Sequence, residues 1–139
     1  MAILTRKNGF LMAGLFNFII IIMSKGFSDN LARIDSLFDF NGCVSICLWG
    51  ISYIALGESY DKSPLVSLAF ASEKLFYVIR WLEFWGSYEG TVGDLVTADW
   101  PNIFFLGYGP GDLAFGLFFL KVYFDHREGG KIAVKDKGP

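Results

Sequence analysis

Residues 72–85 read Ser72-Glu73-Lys74-Leu75-Phe76-Tyr77-Val78-Ile79-Arg80-Trp81-Leu82-Glu83-Phe84-Trp85. Glu73, Lys74, Arg80 and Glu83 stand here among side chains that are mostly aliphatic or aromatic. The run begins near Pro64, a favourable first-turn residue for a helix. Long apolar segments of the same kind recur along the chain. A charge at the centre of a bilayer costs about 2.5–3.5 kcal/mol on insertion scales unless it finds a partner or water. Charges inside such a segment are therefore candidates for function by default.

The composition, 53% hydrophobic and 18% aromatic over 139 residues, points to a single membrane domain. A net charge of -2 with no concentrated basic face argues against nucleic acid as a partner. Cys43 and Cys47 are four apart, so on a helix they share a face and read as small core residues. They do not form the Cys-x-x-Cys pair of a thiol oxidoreductase. The one histidine, His126, gives no basis for a histidine-ligated metal. No metal and no cofactor is expected.

Four spans are expected, over about residues 9–27, 41–57, 64–86 and 103–124. The fold class is thus an all-α integral membrane four-helix bundle. Arg6 and Lys7 precede an apolar stretch, as in a signal peptide, but no small-x-small cleavage site follows, so this reads as a retained first span. Lys and Arg favour alternate flanks: Arg6 and Lys7, then Lys62, then Arg127, Lys131, Lys135 and Lys137. The segment 86–102 has none. Both termini are accordingly expected to be cytoplasmic. Residues 1–127 form the transmembrane domain and 128–139 a polar mobile tail.

In the first loop, Ser28 can cap a short helix on which Leu31, Ile34, Leu37 and Phe38 share a face. That pattern suits a short amphipathic helix on the membrane surface, or equally a lid packed on the mouth of the bundle. The acidic, glycine-containing loop 86–101 is expected to be ordered only in part.

Steps of four, three and four place Glu73, Tyr77, Arg80 and Phe84 along one stripe, with Glu83 leaning back toward Arg80. Lys74 lies about 100° around the helix and needs its own partner or a route to the interface. Span one has a single strongly polar interior residue, Asn17. Span four contains Gly107-Tyr108-Gly109-Pro110-Gly111-Asp112, which is expected to break the helix, with Asp112 capping the part that restarts at Leu113. Irregular backbone at that depth must be buried in protein or face water. An Asp112–Arg80 contact follows as an expectation. Lys121 is expected to pair with Asp125 across one turn. The candidate ligand-binding residues are Glu73, Tyr77, Arg80, Glu83, Asp112, Tyr108 and Asn17. The opposing interpretation is that these groups only pair with one another and specify helix packing.

Four spans in about 140 residues, with acids in a bundle, resembles the sterol-isomerase and sigma-2-receptor-like superfamily in size and topology. The resemblance carries no residue roles. The leading functional expectation is a protein that binds or transports a small or lipophilic ligand. The alternative is an accessory or assembly subunit of a larger membrane complex, packed against further copies or other membrane subunits, which fifteen phenylalanines and little extramembrane mass would suit. A third reading is an enzyme acting on a lipophilic substrate, with Glu73 or Asp112 as acid or base.

Overall fold

The computed structural model describes residues 2–135, with side chains described for residues 6–129. Every regular element among them is helical: α1 (Ala2–Met23), α2 (Asp29–Ala32), α3 (Phe40–Leu56), α4 (Pro64–Ser87), α5 (Val92–Ala98) and α6 (Phe104–Lys135). Single 3-10 turns at Ser36–Phe38 and Trp100–Ile103 join them. The four long helices coincide with the four apolar runs. Two of them carry windows long and apolar enough to cross a membrane, Arg6–Met23 and Trp100–Gly129. At 17 residues α3 is shorter, and α4 is interrupted by its four charges.

The long helices pack as two pairs, α4 on α6 and α1 on α3, with α1 also touching α6. Glycine sets the first crossing. A Cβ on Gly14 would lie 2.6 Å from the Gly50 carbonyl oxygen, and one on Gly50 would lie 3.0 Å from that of Gly14. The two backbones therefore nearly touch, as small residues allow.

The expected break in span four is not formed. Helix α6 runs unbroken through Gly107–Asp112, with Pro110 inside it. The glycines act as packing sites instead. A Cβ on Gly109 would lie 2.2 Å from the Trp81 indole, and one on Gly111 would lie 2.2 Å from the Phe16 ring. Pro110 removes one backbone donor. The Trp81 and Trp85 indoles donate to the Phe105 carbonyl at 2.7 and 3.1 Å, which braces this stretch of α6 from α4. Asp112 caps nothing; its side chain is committed elsewhere.

The first loop also differs from a single surface helix. Ser28 caps α2, as its position suggested, but α2 lasts only four residues, and Asp35 caps a separate 3-10 turn. Leu31 and Phe38 are fully buried, and Ile34 and Leu37 pack on the same core. The loop thus closes one end of the molecule. Gly42 fixes its return into α3, since a Cβ there would meet the Leu37 carbonyl oxygen at 1.9 Å. In the third loop a reciprocal Thr91–Asp94 capping box starts α5, and hydrogen bonds from Thr91 hold the Asp94 carboxyl below the usual carboxylate range. Helix α6 is assigned through Lys135, inside the segment expected to be a mobile tail; residues 136–139 lie outside the described residues.

Two aromatic clusters fill the interior. One, at the loop end, is built on Phe38, Tyr77, Phe104, Phe105 and Tyr108. The other, toward the chain termini, is built on Phe10, Tyr53, Tyr60, Phe70 and Phe119. The outward faces are apolar as well: Met12, Ile22, Ile51, Leu65, Ile79 and Leu117 are all exposed.

Candidate functional site: a polar layer between two aromatic clusters

Asn17, Lys74 and Asp112 retain only 1%, 1% and 5% of their surface. The Lys74 Nζ donates to Asp112 Oδ1 at 2.5 Å and to Asn17 Oδ1 at 2.7 Å. Asn17 in turn donates through Nδ2 to the Ile46 carbonyl at 2.9 Å. The cluster therefore ties α1, α3, α4 and α6 together at one level. Its position follows from the packing just described. The Gly14–Gly50 contact brings Asn17, one turn further along α1, against α3. A Cβ on Gly116 would lie 3.4 Å from the Lys74 Cβ, so the small residue lets the root of the lysine approach α6.

The ammonium also sits beside two rings, 5.2 Å from the Tyr53 centroid and 5.8 Å from that of Phe16. The Tyr53 hydroxyl donates to the Glu73 carboxylate in a short hydrogen bond. The other oxygen of Glu73, Oε1, is buried with no hydrogen-bond partner among the described residues, and so is the Tyr108 hydroxyl. Both residues line a small cavity together with Asn17, Lys74, Tyr77 and Asp112. The space open to the centre of a water is about 10 Å³, which admits one water molecule.

Of the residues singled out from sequence, Asn17, Glu73, Tyr77, Tyr108 and Asp112 thus come together around one cavity. Arg80 and Glu83 do not join them. They pair with each other at 2.6 Å, with side chains 39% and 56% exposed. The expected Asp112–Arg80 contact is replaced by Asp112–Lys74. The reason is register: α4 and α6 run antiparallel, so Trp81 meets Phe105 while Lys74 meets Asp112. Arg80 lies six residues, about 9 Å, further along the axis. Lys121 does pair with Asp125, at 2.9 Å, and Arg6 joins them at 2.8 Å.

Two members of the site, Lys74 and Tyr53, were absent from the sequence candidates. Lys74 carried a signal: a cation ten residues into a largely apolar helix, about 15 Å from its start, needs a partner from another element. Tyr53 carried none, because an isolated tyrosine in an apolar helix is ordinary. Cys43 and Cys47 are free thiols in the core region rather than a disulfide. Comparison of the chain with protein families, with curated proteins and with solved structures returned no match.

Proposed function

We propose that this chain is a multi-pass membrane protein in which α1, α3, α4 and α6 all span the bilayer as a four-helix bundle, with both termini cytoplasmic, and that its buried polar layer binds or transports a small solute. One observation carries this reading: a charged layer is buried while the outward faces are apolar. Lys74, Asp112 and Asn17 are inside, while large apolar side chains cover the outer faces of all four long helices. A water-soluble domain buries apolar groups and pairs its few buried charges sparingly. Intramembrane charges, in contrast, face the interior and mark pathways or binding sites. Helix α4 fits this scheme because Glu73 and Lys74 turn inward, while Arg80 and Glu83 pair near its outer end. The cavity suits a solute of the size of a water molecule or a small ion. A lipophilic ligand would instead use the apolar groove between α1 and α6, lined by Phe16, Ile20, Met23, Trp100 and Phe104.

The topology is tested by single-cysteine labelling at Arg127 and Val92, in a background with Cys43 and Cys47 replaced by Ser. The two sites are expected to react from opposite sides of sealed vesicles. Reaction of both from the same side would overturn the four-span arrangement.

A second reading rests on the closure of the cluster. Lys74, Asp112 and Asn17 satisfy one another, as in a packing lock, and the apolar faces would suit an accessory subunit within a larger complex. Proteoliposomes loaded with a pH-sensitive or a sodium-sensitive dye separate the two. Ion entry above that of protein-free vesicles, lost in Asp112→Asn and kept in Leu117→Ala, is expected for the transport reading. Entry at the protein-free rate would leave the accessory reading.

A further inference from the structure

We infer that Glu73 holds the exchangeable proton of the buried layer, and that this proton enters and leaves past the Tyr108 hydroxyl. The inference rests on the membrane reading above and names the solute: a proton.

The argument begins with charge. Between the polar ends of the four long helices, the segments 9–24, 40–57, 64–79 and 103–120 contain three residues of the Asp, Glu, Lys, Arg and His types, Glu73, Lys74 and Asp112, beside the thiols of Cys43 and Cys47 and the phenols of Tyr53, Tyr77 and Tyr108. Lys74 and Asp112 neutralise each other at 2.5 Å. Glu73 is left over. The groups that face it are Tyr53 from α3, Asp112 and Tyr108 from α6, Lys74 and Tyr77 from α4 itself, and the neutral Asn17 from α1. None of these is a second cation. An ionised Glu73 would give the layer a net charge of minus one in a medium of low dielectric, where an isolated charge is so costly that the group takes up a proton instead. With a proton on Glu73 the layer is neutral.

Geometry gives the proton its place. Oε2 already accepts from Tyr53, so Oε1 is the oxygen free to carry it. Oε1 and the Tyr108 hydroxyl are both without partners among the described residues, and Glu73 and Tyr108 both line a cavity that admits one water. A water there would accept from Glu73 and donate to Tyr108. The exchange is a simple acid–base step. The Glu73 O–H bond breaks, the proton joins a water oxygen, and its positive charge leaves with it, while the carboxylate keeps the electron pair. No oxidant or reductant is needed.

The direction of exit follows from the two clusters. Toward the termini, Tyr53 packs on Phe70 and Phe119 at 4.7 and 5.1 Å, with Phe10 behind them. That end presents rings. Toward the loops, Tyr77 and Tyr108 line the cavity, and the Tyr108 ring, whose hydroxyl has no partner among the described residues, packs on Phe38 of the first loop at 5.0 Å. The first loop therefore covers the route, and its displacement would control the exchange.

Infrared spectroscopy of the purified protein in phosphatidylcholine bilayers provides the test. The wild type is expected to show a protonated-carboxyl C=O band that bleaches as pH is raised. Glu73→Gln is expected to lose it. Tyr53→Phe is expected to keep the band and move it to higher frequency, because one hydrogen bond to the carboxyl is gone. Tyr108→Phe is expected to keep the band at full intensity and slow its shift on transfer to heavy water severalfold. A band undiminished in Glu73→Gln overturns the assignment, and if that variant does not fold, an unshifted band in Tyr53→Phe does so instead. Exchange at the wild-type rate in Tyr108→Phe overturns the route. Opposite-side labelling at Arg127 and Val92 would still support the membrane reading in either case, so the two failures are distinguishable.

Discussion

Asp112→Ala is expected to destabilise the protein by about 3–5 kcal/mol, the cost of leaving one partner of a buried ion pair unmatched. Lys74 would keep only the Asn17 oxygen and two aromatic faces, with 1% of its surface exposed. Leu117→Ala on the exposed face of the same helix is the control and is expected to change stability by less than about 1 kcal/mol. Replacing both charges with apolar residues of similar volume, Lys74→Met with Asp112→Leu, is expected to recover most of the loss, within about 1–2 kcal/mol of the parent, because no lone charge is then buried. Equilibrium unfolding in bicelles reads all four proteins. A single Asp112→Ala variant as stable as the parent would show that the 2.5 Å pair is not what holds α4 to α6.

The second large effect separates two glycines only two residues apart. Gly109→Ala is expected to cost about 1–3 kcal/mol, as overpacking does in a filled interior. Its Cβ would overlap the Trp81 ring, and that ring is held in place by its hydrogen bond to Phe105. Gly107→Ala meets open space, with nothing within 4 Å of the added atom. In a continuous helix it is expected to stabilise by up to about 1 kcal/mol, the intrinsic advantage of Ala over Gly. The same unfolding measurement on both variants checks the pair. If both glycines lay in a helix break, neither difference in sign would appear, so a destabilising Gly107→Ala would speak against the unbroken α6.

The helices themselves were legible in the chain. Apolar runs bounded by Pro64, Asp39 and the polar ends mark α1, α3, α4 and α6, because a helix can bury or expose such runs with all its backbone groups paired internally. The depth of Glu73 and Asp112 was legible for the same reason, since position along a helix is a matter of counting residues. What the polar groups do with one another was not. Glu73 and Lys74 are neighbours in sequence and point about 100° apart, so one of them had to face a partner that counting along α4 does not reveal.

The choice between Arg80 and Lys74 as the partner of Asp112 depended on the antiparallel register of α4 and α6. That register is set by Trp81 over Gly109 and by Gly116 beside Lys74, contacts between residues some 28 to 42 positions apart. The Gly107–Gly111 stretch shows the same limit. Glycine lowers helix propensity locally, which favours a break, and it also removes the Cβ, which favours close packing. Sequence contains both effects with no means of ranking them. The aromatic rings of Trp81 and Phe16, brought opposite Gly109 and Gly111 by the tertiary fold, decided for packing, because filling those gaps stabilises an unbroken helix more than glycine weakens it.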